Sequence, residues 1–196
     1  MTAKIAVLVS GGGTNLQALI NAQDSVLKSG KIELVISNNP DAFALTRAEK
    51  AGIKTAVVKK SEPDFEDRIA SLCENAGIDL IVLAGFMCIL SKEFTARFAG
   101  RIINIHPSLI PSFCGEGFYG LHVHEAALAY GVKVTGATVH IVNEIPDGGK
   151  ILLQKAVDIM PDDTPETLQR RVMEQAEWKI LPQAAEMMCA EIIKER

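Results

Sequence analysis

The sequence predicts an α/β protein with a mostly parallel, Rossmann-like sheet flanked by helices, a C-terminal antiparallel strand pair and a long C-terminal helix. Three observations carry that reading. Short apolar runs and helical stripes alternate in βαβ order over the first hundred residues, which favours parallel strands joined by crossover helices. Leu80-Ile81-Val82-Leu83-Ala84 is apolar without alternation, as in a strand covered on both faces. After Lys133 the order changes to two strands around a polar loop, then to a helical stripe that runs to the C-terminus.

Ile5 to Val9 is the first strand, followed at once by Ser10-Gly11-Gly12-Gly13-Thr14-Asn15. Leu16, Leu19, Ile20 and Leu27 then recur at near-helical spacing. Ile32 to Ile36 is the second strand, ended by Ser37-Asn38-Asn39-Pro40. Ala42 to Ala51 predicts a helix stopped by Gly52. Thr55 to Val58 is a short strand, and Phe65 to Asn75 a helix with Phe65, Ile69, Leu72 and Cys73 on its apolar side. A short helical stretch, Glu93 to Phe98, separates the buried strand from Ile102 to Ile105. Pro107 has no N–H for a ladder, so that strand should stop there. Glu125 to Tyr130 reads as a helix with His124 at its start. Lys133 to Val142 and Lys150 to Val157 form the strand pair around the loop Asn143 to Gly149. Thr164-Pro165-Glu166 opens a helix, with a hydroxyl at the N-cap and proline where no N–H is needed. Leu168, Val172, Ala176 and Ile180 are its stripe; Pro182 should kink or interrupt it before Ala185, Met188 and Ile192 continue it.

A chain of 196 residues, 48% hydrophobic and 22% charged, suits one domain over residues 1–196. The net charge of -4, with Lys and Arg scattered, gives no reason to expect nucleic-acid or anionic-membrane binding. No apolar run approaches the roughly 18 residues of a membrane span. Met1 to Val9 lacks a cleavage-site pattern and reads as a strand, not a signal peptide. Cys73, Cys88, Cys114 and Cys189 are widely spaced, as expected of reduced thiols in a cytoplasmic protein.

The Ser10–Asn15 loop lets backbone N–H groups approach an anion at a helix N-terminus, and Thr14 and Asn15 can add side-chain donors. Its spacing fits neither a P-loop nor a dinucleotide fingerprint, and Ser37-Asn38-Asn39 offers no acid for a ribose. A plain tight turn is the rival reading. Asn104 and His106 stand two apart at a strand end, so they project to one face while Ile103 and Ile105 pack on the other. A lone histidine is more often structural; two polar groups at the sheet edge, where open α/β folds bind ligands, favour a site. Asp147, in Asp147-Gly148-Gly149, is either a turn former or a catalytic carboxylate, and the residues alone leave both open. His122-Val123-His124 with His106 and His140 invites a metal, but no cysteine pair or close acid completes a ligand set, so none is expected.

Asn104-Ile105-His106-Pro107-Ser108-Leu109-Ile110-Pro111 closely resembles the signature of folate-dependent formyltransferases. The glycine loop, Leu83-Ala84-Gly85-Phe86-Met87, His124-Glu125-Ala126-Ala127-Leu128 and Gly136 to Gly149 extend the resemblance over nearly the whole chain. The glycine loop and short length favour the purine-pathway branch. The resemblance implies formyl transfer from 10-formyltetrahydrofolate to the amine of glycinamide ribonucleotide, with small-molecule substrates only, no metal, and a monomer or homodimer. It implies that Asn104, His106 and Asp147 are catalytic, and that Gly11, Gly12, Gly13, Thr14 and Asn15 hold the substrate phosphate. It also implies that Glu177 contacts the glycinamide, and that Met87, Cys88, Ile89, Leu90, Asn104, His140 and Asp147 line the folate site. Residues 1–100 would then be the phosphate-binding half and 101–196 the catalytic and folate-binding half. Three features depart from the family pattern: Cys88 replaces an arginine, Glu62 stands near a position that is basic in some members, and Cys114 to Tyr119 is extra. Related activities are set apart by what usually accompanies them, an RNA-binding domain in methionyl-tRNA formyltransferase and a preceding regulatory domain in formyltetrahydrofolate deformylase. A non-catalytic folate- or nucleotide-binding module is disfavoured by the intact Asn104, His106 and Asp147 set.

Overall fold

The computed structural model describes residues 2–196. Seven strands, β1 (Ala3–Val9), β2 (Gly30–Ser37), β3 (Lys54–Val57), β4 (Leu80–Leu83), β5 (Ile102–His106), β6 (Val134–Ile141) and β7 (Ile151–Asp158), form one sheet in the order β3-β2-β1-β4-β5-β6-β7. The first five pair in parallel; β6 runs antiparallel to β5, and β7 to β6. The helices are α1 (Thr14–Ala22), α2 (Phe43–Lys50), α3 (Phe65–Asn75), α4 (Lys92–Arg97), α5 (Leu121–Tyr130), α6 (Pro165–Val172) and α7 (Trp178–Lys194).

Alternation along β1 shows why both faces are covered. Ile5, Val7 and Val9 pack with Leu16 and Leu19 of α1 and with Leu181, Ala184 and Ala185 of α7. Ala6 and Leu8 belong to the opposite layer, with Ile69 of α3 and Phe94 of α4. A side-chain period of two, apolar at every position, is what a sheet buried on both sides requires.

Strand order reverses between β1 and β4, since the chain winds outward through β2 and β3 and then returns to β1's other side. Ligands of open α/β sheets bind at such a crevice, beyond the carboxyl ends of the strands. The loops after β1 and β4 are tied together there: Ser10 N–H donates to Gly85 O (3.2 Å), and Met87 N–H donates to Ser10 Oγ (2.8 Å).

Three details differ from the sequence reading. Helix α1 ends at Ala22, so Leu27 reaches the core from a turn. His124 lies inside α5, which starts at Leu121, not Glu125. Pro182 does not break α7, which passes through it. The irregularity lies upstream, where Met173–Glu177 forms a π-helical turn between α6 and α7. A widened turn just before a proline disturbs the ladder already and leaves the ring room.

Candidate active site

The glycine loop turns its carbonyls into the protein. Ala44 N–H donates to Gly11 O (3.0 Å) and Arg47 Nε donates to Gly12 O (2.8 Å). Among the described residues, the N–H groups of Gly11 to Asn15 meet no acceptor. They gather at the N-terminus of α1, where helix partial charge and free donors both suit an anion. Gly13 has φ 71°, and a Cβ there would lie 2.6 Å from the Ala44 Cβ, so only glycine fits. Two side chains behave otherwise than the sequence reading expects. Asn15 Nδ2 donates to Glu177 Oε2 (2.6 Å), and Thr14 Oγ1 faces the Met173 sulfur (3.7 Å). Both Asn15 and Glu177 are buried, and a buried carboxyl is costly without a donor. Burial raises the Glu177 carboxyl to about 7, with Asn15 opposing. The π turn is what aims Glu177 at this loop from the far end of the chain.

A second cluster forms where β5 and β6 end. The antiparallel register sets Asn104 opposite His140, and His106 opposite Thr138. Asn104 Nδ2 donates to His140 Nε2 (3.2 Å) and to Asp147 Oδ1 (3.4 Å). An amide nitrogen only donates, so His140 Nε2 bears a lone pair, and Nδ1–H donates to Ile141 O (3.0 Å). His106 Nε2 must likewise be a donor, since its partner is the Phe113 carbonyl (2.9 Å). That leaves Nδ1 as the working nitrogen of His106, 3.4 Å from Asp147 Oδ2. The contact with Phe113 therefore fixes the tautomer of the neutral ring.

Asp147 has φ 55°, a left-handed conformation uncommon outside glycine, asparagine and aspartate. Its carboxylate does not cap its own turn. It reaches across to His106, His140 and Asn104, and accepts from Gly115 N–H (2.9 Å). Gly149 allows this turn to close: a Cβ there would lie 1.7 Å from Ile141 O. Burial pushes the Asp147 carboxyl up, but the His140 ring, which opposes this only with a proton at Nε2, the charge of His106 and the Gly115 N–H outweigh it, and the net shift is down. Burial lowers His106 below its ordinary value, against the pull of Asp147 and the Phe113 carbonyl. A buried imidazole whose free nitrogen faces a carboxylate can take up and return a proton without leaving its place.

Asn15 and Glu177 of the first cluster and Asn104, His106, His140 and Asp147 of the second border one cavity of about 790 Å³; Gly11 to Thr14 lie outside its lining. Met87 to Leu90 form one side, Val142 to Asp147 another, and Gly115 to Tyr119 of the extra segment, with Gly120, a third. Ile89 and Met87 are exposed, whereas Cys88 is buried and its sulfur accepts from Asn38 Nδ2 (3.2 Å). Glu62 is paired with Arg68. Sequence reasoning did not single out Arg47 at the glycine loop or Phe113 behind His106. Arg47's signal was weak, one basic residue on a helix; Phe113's contribution is a backbone carbonyl and has none. His122 is exposed and pairs with Glu125, while His124 is fully buried. Among the described residues, no group of three or more His, Cys, Asp or Glu is placed to hold a metal ion.

The formyl transferase family model matches residues 3–185. The chain belongs to the formyl transferase family. Among relatives of this formyl transferase, phosphoribosylglycinamide formyltransferase of Haemophilus influenzae is 46% identical over 183 residues, 91% of this chain and 84% of that one. The human trifunctional purine biosynthetic protein adenosine-3 is 45% identical over 192 residues, 96% of this chain but only 18% of the larger protein. The chain thus spans under a fifth of that relative and most of the bacterial one. The crystal structure of phosphoribosylglycinamide formyltransferase from Brucella melitensis superposes with a TM-score of 0.87 at 41% identity, covering 97% of each chain.

Proposed function

We propose that this formyl transferase moves the formyl group of 10-formyltetrahydrofolate to the primary amine of N1-(5-phosphoribosyl)glycinamide. One observation carries the reading beyond kinship. Asn15 and Glu177, beside the free N–H groups of the glycine loop, line one cavity with a buried imidazole–carboxylate pair and the amide next to it. The phosphate would sit at Gly11 to Asn15, which presents the amine to the formyl carbon in a near-attack geometry. The folate would lie along Met87 to Leu90 and Ala137 to Asp147.

The amine nitrogen bonds to the formyl carbon, and the carbonyl π electrons move to oxygen. The negative charge developing on that oxygen, with Asp147 beside the ring, offsets the burial that favours the neutral imidazole, so His106 carries a proton at Nδ1 and donates a hydrogen bond from it to the oxyanion, as does Asn104 Nδ2. Asp147 holds the imidazolium and accepts the proton leaving the amine, through a water. The bond from the formyl carbon to N10 of the folate then breaks, N10 takes the amine's proton back from Asp147 through that water, and tetrahydrofolate leaves. Both Asn104 amide hydrogens are engaged by His140 and Asp147, so a bound substrate must exchange one of these bonds for its own. Every described cysteine is a free thiol, which supports a reducing, cytoplasmic setting.

The test is to mix the protein with the ribonucleotide and 10-formyltetrahydrofolate and to follow tetrahydrofolate release. Release that requires the ribonucleotide supports the reading. Release without it would indicate a hydrolase, and no release at all would remove the assignment.

A further inference from the structure

His124 is fully buried and borders the cavity, yet neither ring nitrogen has a partner among the described residues. Its neighbour on the same helix, His122, is exposed and satisfied by Glu125, so α5 treats its two histidines oppositely. An apolar side chain would fill the buried position with less loss, because each unpaired buried polar atom costs about 1–3 kcal/mol. Such an orphan is explained when something in the working state supplies the missing partners. Burial, helped by the charge of nearby His106, lowers this imidazole to about 4, so it is neutral near pH 7. A neutral imidazole offers one N–H donor and one lone pair. The complementary partner is a group that both accepts and donates, a hydroxyl. Helix α5 packs on α6, which leads through the π turn to Glu177, and His124 borders the same cavity as Glu177 and as His106, whose charge reaches it.

We infer that His124 binds a hydroxyl in the substrate-loaded protein, either an enclosed water or a hydroxyl of the ribonucleotide, and through it positions the reacting amine beside His106. The inference rests on the formyl-transfer reading. It makes His124 a positioning residue, distinct from the groups at the formyl carbon.

Two substitutions test it. His124→Leu removes both polar atoms; His124→Gln keeps a donor and an acceptor on a side chain that does not titrate. Without substrate, His124→Leu should melt at or above the wild-type temperature, since it relieves two unpaired atoms. With substrates, a water at this point gives a kcat lowered about tenfold at unchanged KM, and a substrate hydroxyl gives a ribonucleotide KM raised about tenfold at unchanged kcat. His124→Gln should recover most of either loss. Wild-type kinetics in His124→Leu, or equal losses in both variants, overturn the inference. Should His124→Leu fail to fold, wild-type protein with ¹⁵N-labelled histidine decides. The His124 ring-nitrogen shifts must move when ribonucleotide and a non-reactive folate analogue are added; unmoved shifts in the formed complex overturn it. Wild-type protein that neither binds nor formylates the ribonucleotide condemns the formyl-transfer reading instead.

Discussion

The glycine loop, which reaches the cavity through Asn15, and the Asn104 cluster, which lines it, are made in different ways. The loop is local: six consecutive residues, with backbone N–H groups as the working atoms and glycines that keep side chains out of the way. The cluster is assembled from distant parts of the chain, Asn104 and His106 on β5, His140 on β6 and Asp147 in the loop beyond, and its working atoms are side chains. A backbone site tolerates most changes that keep the turn. A side-chain site fails when any one member changes, because each holds another in its protonation state or orientation.

That contrast can be broken by experiment. The largest effect should come from the assembled cluster. His106→Ala or Asp147→Asn should lower kcat on the order of 100-fold or more, with little change in either KM. Steady-state kinetics check this, and near-normal turnover in both would return the cluster to a structural role. Next comes Glu177, the titrating residue beside the backbone-built loop. Its folded carboxyl titrates near 7 against an ordinary 4.5, so between these pH values the folded chain holds a proton that the unfolded chain has lost. The stability it contributes is full below pH 4.5 and is lost as pH rises through 7. Glu177→Gln should flatten that decline and at pH 8 exceed the wild type on the order of 2 kcal/mol. Denaturant midpoints across this range are the measurement, and parallel curves would show that Glu177 is not held protonated.

Smaller effects belong to the backbone site. A Cβ at Gly12 meets nothing within 4 Å, so Gly12→Val should fold. It should raise the ribonucleotide KM about tenfold while leaving the folate KM nearly unchanged, because a branched side chain blocks the phosphate from the N–H groups. A rise in the folate KM instead would exchange the two ends of the cavity. The smallest concerns Cys88. An arginine there must first leave the buried contact with Asn38. Cys88→Arg should therefore change folate affinity by roughly 1 kcal/mol at most, and only at low salt. Dissociation constants for mono- and polyglutamylated analogues at two salt concentrations decide this; a larger, salt-resistant gain would mean that position 88 faces the tail directly.

The same contrast governs what the sequence makes legible. Unbroken apolar runs such as Leu80–Leu83, and the capped start of α6 at Thr164 and Pro165, declare themselves because their causes are local. So do the glycine loop and the spacing of Asn104 and His106. Asp147 could not be told from a turn former, because its partners His106 and Gly115 lie more than thirty residues away in sequence. Asn15 reads as a free donor until folding brings Glu177 to it. Pro182 reads as a break because a π turn has no sequence period that announces it. The orphaned ring of His124 is visible only once α5 has chosen which side to bury.

The π turn at Met173–Glu177 has one more consequence, for the phase of the chain. It accommodates about one residue more than a regular turn. Removing a single residue there would restore regular helix with nearly the same phase beyond it, because the widened turn absorbs its extra residue within one revolution. Leu181, Ala184, Ala185 and Met188 would stay against the sheet, and their burial with them. Glu177, inside the turn itself, would lose its aim at Asn15, so such a deletion should spare the core and cost the site.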